Sequence, residues 1–178
     1  MTDRGDGRAD VDAAAPPAKP AEKPAQKPGE VPAEATVEAA RTAAQRGELG
    51  RWVQEFLRSP GSDNAVLGAE LRSELSSWYG PVQLPFDELQ RLAGPPDQPT
   101  LVRLGDDDLE RVDDMQESLD DGWEPPPIIV SYEDGEFVVE DGNHRIEGLR
   151  RAGYSEYWSV VGFGDEGERQ RFLEESLL

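Results

Sequence analysis

Two short apolar runs around a tight turn restrict this chain more than anything else in it. Ile128-Ile129-Val130-Ser131-Tyr132 and Glu136-Phe137-Val138-Val139-Glu140 flank Asp134-Gly135. β-Branched and aromatic residues on either side of Asp-Gly predict two strands joined by a hairpin. Pro125-Pro126-Pro127 leads into the first strand as extended chain. Asp141-Gly142-Asn143 breaks the second strand. His144 to Ala152 then reads as a short helix with Ile146 and Leu149 inward, closed by Gly153. Tyr157 to Phe163 predicts another strand, and a helix from near Asp165 carries Phe172, Leu173 and Leu177. Helices around a small sheet define an α+β domain.

The sequence upstream has a different rhythm. Ala13 to Pro32 repeats Ala, Pro, Lys and Glu, a composition too poor in large apolar groups to bury a core, so residues 1–35 are expected to be a disordered tail,. From Thr36 the chain is rich in helix formers, with Leu49, Trp52, Val53, Phe56 and Leu57 on one side and a stop at Ser59-Pro60-Gly61-Ser62,. Asp63 or Asn64 can cap a second helix carrying Val66, Leu67, Leu71, Leu75 and Trp78, ended by Tyr79-Gly80-Pro81,. A turn of helix is expected over Phe86–Leu92, stopped by Gly94-Pro95-Pro96. Residues 36–97 thus read as a helical section of unknown role. Thr100 to Leu104 suggests a short strand. Asp106-Asp107-Asp108 opens an acidic helix with Leu109, Val112, Met115 and Leu119 inward, closed by Gly122,. The ten acidic groups between Asp106 and Glu124 lack the alternating-ligand pattern of a calcium loop and read as a solvated face.

Composition limits the chemistry. The 178 residues contain no cysteine and one histidine, His144, which excludes thiolate metal sites, disulfides and thiol redox chemistry,. The formal net charge is −20, and the three lysines (Lys19, Lys23, Lys27) all lie in the tail. So acidic a body repels a phosphate backbone, which argues against general nucleic-acid binding; one phosphate in a local arginine site is compatible with it. No apolar run is long enough to span a bilayer and the start lacks an apolar leader, so a soluble cytoplasmic protein is expected,.

The densest polar cluster at a predicted strand-to-helix junction runs from Glu140 to Arg145. Gly142 lets the backbone turn sharply, and the helix start offers free N–H groups with a positive dipole end. Arg145 could grip phosphate with its planar fork, and His144 could donate to a phosphate oxygen or move a proton. Glu140, Asp141 or Glu147 could act as a base, and Asp141 could hold Mg²⁺ on bound phosphates. The same residues also suit plainer roles: a turn glycine, an Asn143 cap and helix-surface ion pairs of Glu147 with Arg150 or Arg151.

The ordered series of Pro-Ile-Ile-Val strand, Asp134-Gly135 hairpin, Asp141-Gly142-Asn143-His144-Arg145 junction and Leu149-Arg150-Arg151-Ala152-Gly153 resembles the ParB/sulfiredoxin-like superfamily, whose members include proteins labelled ParB-like nucleases. With Leu101 to Gly122 it covers about residues 100–165. The resemblance implies a ParB/sulfiredoxin-like domain over 98–178. It also implies binding of a nucleoside triphosphate, ATP or CTP with Mg²⁺, at Gly142, Asn143, His144 and Arg145. Asn143 stands where sulfiredoxin has its cysteine, so sulfiredoxin repair chemistry is excluded. The DNA-binding helix-turn-helix of ParB would not fit after Phe163.

These readings lead to a nucleotide-binding domain, with small-molecule phosphotransfer as its catalytic form. The alternative is a non-catalytic regulatory or interaction module that meets a protein partner through the tail or the helical section. A nuclease ranks below both, because an acidic surface suits nucleic acid poorly.

Overall fold

The computed structural model describes residues 35–60, 62, 64–93, 100–101 and 105–176. The Ala/Pro/Lys tail, the Gly94-Pro95-Pro96 stop, Val102 to Leu104 and Leu177 lie outside the described residues.

Three helices come first: α1 (Val37–Gln45), α2 (Leu49–Arg58) and α3 (Ala65–Glu74). The Thr36 hydroxyl caps α1 by accepting the Ala39 N–H at 3.0 Å,. The helix formers after Thr36 do not make one rod. Gly47 adopts φ +71°, and the Glu48 N–H turns back to the Ala43 carbonyl at 2.8 Å, as at many glycine-ended helices,. Asn64 caps α3, its side chain accepting from the Leu67 N–H at 3.4 Å.

The helix expected to reach Trp78 stops four residues earlier, and the chain becomes a strand, β1 (Ser77–Pro85). Gly80-Pro81, which reads as a helix stop, sits within β1 at a register shift. β1 is a sheet edge, where a proline that cannot donate is tolerated,. The helical turn expected over Phe86–Leu92 is also shorter than its pattern suggests. A 3₁₀ turn covers Phe86–Glu88 and gives way to β2 (Leu89–Gln90) and β3 (Leu92–Ala93). The remaining elements follow their patterns: β4 (Thr100–Leu101), α4 (Asp106–Asp120), β5 (Ile128–Glu133), β6 (Glu136–Asp141), α5 (Asn143–Arg151), β7 (Glu156–Phe163) and α6 (Glu166–Ser176).

Five strands form one mixed sheet in the order β1-β7-β5-β6-β2. β5 runs parallel to β7 and antiparallel to β6, while β1 runs antiparallel to β7. Both edge strands come from residues 36–97, so that section supplies strands as well as helices. The border expected between residues 97 and 98 falls between β3 and β4, which pair with each other.

The core lies on both sides of the sheet. On one face Ile128, Val130, Tyr132, Val139, Val161 and Phe163 pack with Ile146 and Leu149 of α5 and Phe172 of α6. On the other, Ile129 and Val160 pack with Leu49, Trp52, Val53, Phe56 and Leu57 of α2 and Leu71 of α3. No described helix is long and apolar enough to cross a membrane.

Candidate functional site

The junction from β6 to α5 is built around Gly142, which has φ +119° and ψ 17°. A side chain there would meet Ile128 Cδ1 at 2.9 Å and the Arg145 guanidinium carbon at 3.3 Å. Glycine is therefore needed for the turn and for the arginine folded against it. Helical bonding begins with the Ile146 N–H on the Gly142 carbonyl at 2.9 Å. The N–H groups of Asn143, His144 and Arg145 precede that ladder in the first turn, and the N-cap glycine makes no side-chain cap bond,. They form the positive end of the α5 dipole.

Arg145 turns inward. It is buried, at 7% exposure. One terminal nitrogen donates to the carbonyls of Pro126 at 3.0 Å and Pro127 at 2.5 Å, and the other pairs with the Asp141 carboxylate. Its guanidinium carbon lies 5.3 Å from the Phe56 ring of α2. These contacts satisfy carbonyls of the buried proline segment, which would otherwise face the core unpaired. They also tie β6, the lead into β5, α5 and α2 together at one end of the sheet. The expected phosphate grip of Arg145 is thus occupied by the protein itself.

Asn143 and Glu147 are held by Arg91, which sequence reading did not single out. Arg91 Nε donates to the Asn143 side chain at 3.0 Å, one terminal nitrogen donates to the Asn143 carbonyl at 3.1 Å, and the other pairs with Glu147 at 3.5 Å. Arg151 approaches Glu147 at 3.4 Å and reaches Asp113 of α4 at 2.6 Å. Arg91 and Asn143 are far apart in sequence, so no spacing rule could connect them. His144 is half-buried in the same first turn.

Glu140 does not join this group. It lies on the opposite face of the sheet, accepting from Ser131 Oγ at 2.6 Å. Burial raises its pKa above the ordinary carboxylate value, Glu133, Glu74 and Glu70 add to the rise, and the Ser131 hydrogen bond opposes it,. Of the three candidate bases, then, Asp141 is paired with Arg145, Glu147 with Arg91 and Arg151, and Glu140 lies across the sheet. Among the described residues no group of three or more His, Asp or Glu side chains could hold a metal ion. One oxygen of the Asp141 carboxylate, Oδ2, is engaged by Arg145.

The chain matches no family model, no curated protein and no solved structure. The functional reading therefore rests on the site.

Proposed function

We propose that the chain is a ParB/sulfiredoxin-like nucleotide-binding domain that receives the phosphates of ATP or CTP, with Mg²⁺, at the first turn of α5, and that it binds without transferring phosphate. One observation carries the binding half. In a chain of net charge −20, Arg91 and Arg145 both converge on the uncapped start of α5. Asp141 and Glu147 balance these two cations, so the field that favours an anion is that of the positive end of the α5 dipole, which the two arginines hold in place,. In this reading the backbone N–H groups of Asn143 to Arg145 and the His144 ring meet phosphate oxygens, and Gly142 allows the close approach. Arg145 and Arg91 brace the turn from behind. The engagement of Asp141 and Glu147 in ion pairs, with Glu140 on the other face, supports a regulatory binding module over a phosphotransferase.

Calorimetric titration of the full chain with ATP, CTP and GTP, each with Mg²⁺, tests this. Saturable micromolar binding of ATP or CTP is expected, weakened about tenfold by His144→Ala through loss of a charge-assisted hydrogen bond. Folded protein that binds none of the three would overturn the proposal. Transfer of labelled phosphate to any hydroxylated metabolite would overturn its non-catalytic half.

A further inference from the structure

Away from α5, a pocket of about 270 Å³ opens between the end of α4 and the start of β7. Four aromatic residues, Trp123, Tyr154, Tyr157 and Trp158, line it together with Leu119, Pro125 and the carboxylates Glu124 and Glu156. The Tyr154 and Tyr157 rings stand nearly perpendicular, at 87°, with centroids 6.3 Å apart. Tyr157 is fixed, its hydroxyl donating to the Pro125 carbonyl at 2.7 Å. Tyr154 is 48% exposed, although it is a large ring beside other aromatic groups. Trp158 already holds one cation, the Arg41 guanidinium carbon lying 4.2 Å from its ring centre. The Trp123 indole nitrogen is buried with no acceptor among the described residues.

We propose that this pocket binds an alkylammonium group, held by the aromatic walls and drawn in by Glu124 and Glu156. Aromatic faces attract cations through their quadrupoles, and sets of aromatic rings are a recurring way to hold quaternary ammonium groups. Two lining carboxylates on an acidic body oppose an anion and favour a cation over a neutral apolar group,. The volume falls just below the range of about 300–1,000 Å³ usual for drug-sized ligands, so it suits a headgroup or a side-chain end rather than a nucleotide. The ammonium could belong to a free amine or to Lys19, Lys23 or Lys27 of the chain's own tail.

The test titrates the full chain with choline and with its neutral isostere 3,3-dimethylbutan-1-ol at matched ionic strength, following tryptophan fluorescence. Choline is expected to saturate and to bind about tenfold more tightly than the isostere, as befits a desolvated cation–π contact. Tyr154→Ala should weaken choline about fivefold, and Tyr154→Phe, which keeps the ring, should not. Glu156→Gln should lower affinity at low salt and flatten its salt dependence. Choline binding that tightens when all three lysines become glutamine supports the pocket with the tail as its native occupant; unchanged binding supports it with a free amine. No saturable response, equal binding of choline and isostere, or wild-type affinity in Tyr154→Ala would overturn the proposal.

Discussion

One face of the central sheet is closed by α5 and α6, which lie next to its strands in sequence, and the other by α1 to α3, which come long before β5. The first face is aromatic, with Tyr132 in ring contact with Phe137, Phe163 and Phe172 at centroid distances of 5.1–6.1 Å. The second takes fewer core side chains from the sheet. Ile129 and Val160 meet the apolar side of α2, where Trp52 and Phe56 stack at 5.2 Å. Beside them the second face turns polar, with buried Ser131 bonded to Glu140. Arg145 reaches from the first face to Phe56 on the second, so the junction that looks like a ligand site is also the joint between two layers.

The difference predicts how the molecule can be broken. The largest effect is expected from a chain beginning at residue 98. It would lack β1, β2 and the cover over Ile129 and Val160, and should give no cooperative urea transition and bind a hydrophobic dye. A sharp transition would make the second face dispensable. Next come Leu57→Ala on the second face and Ile146→Ala on the first. Each should cost about 2–5 kcal/mol, because each empties a fully buried site,. Urea curves of both should keep a single transition; a second transition in Leu57→Ala alone would separate the layers.

Smaller changes sharpen the contrast. Tyr132 on the first face donates to Glu175 of α6 at 2.6 Å. Burial first, and then Glu175, push its phenol up to about 12. Tyr132→Phe should cost about 1 kcal/mol, and ultraviolet titration of the wild type should show two tyrosines, Tyr132 and Tyr157, lagging near pH 11.5 because burial raises both, with one of the two lagging groups lost in Tyr132→Phe,. Glu140 on the second face gives the smallest effect. Because its folded pKa is raised, its contribution to stability is present below the ordinary glutamate value and is lost as pH rises through the folded one,. Glu140→Gln should therefore raise Tm by about 1–3 °C at pH 7 and have little effect at pH 4. An equal gain at both pH values would point to a cause other than charge burial.

The first face was legible in the sequence because its elements are local. Asp134-Gly135, the β-branched runs and the 3.6-residue spacing of Ile146 and Leu149 each determine structure within a few residues. The second face was only half legible. Leu49, Trp52, Val53, Phe56 and Leu57 do mark a helix with one apolar side, but nothing nearby names what that side covers. A clue lay in β5 itself, since Ile128, Ile129 and Val130 in unbroken succession require cover above and below. β1 was hidden because Leu71, Leu75 and Trp78 keep helical spacing across the point where the backbone changes from helix to strand. At the candidate site the glycine turn and the helix start were readable. The inward fold of Arg145 and the bridge from Arg91 were not, because both depend on contacts distant in sequence.

The most direct test sets Arg145→Met beside His144→Ala, with urea unfolding and nucleotide titration on each. Removing one partner of a buried ion pair should cost about 3–5 kcal/mol, so Arg145→Met should lose much of the stability,. His144→Ala should keep a single cooperative urea transition, lose less stability than Arg145→Met, and lose affinity for ATP or CTP. An Arg145→Met chain as stable as the wild type that no longer binds nucleotide would make Arg145 a phosphate ligand, and would contradict its role as the brace.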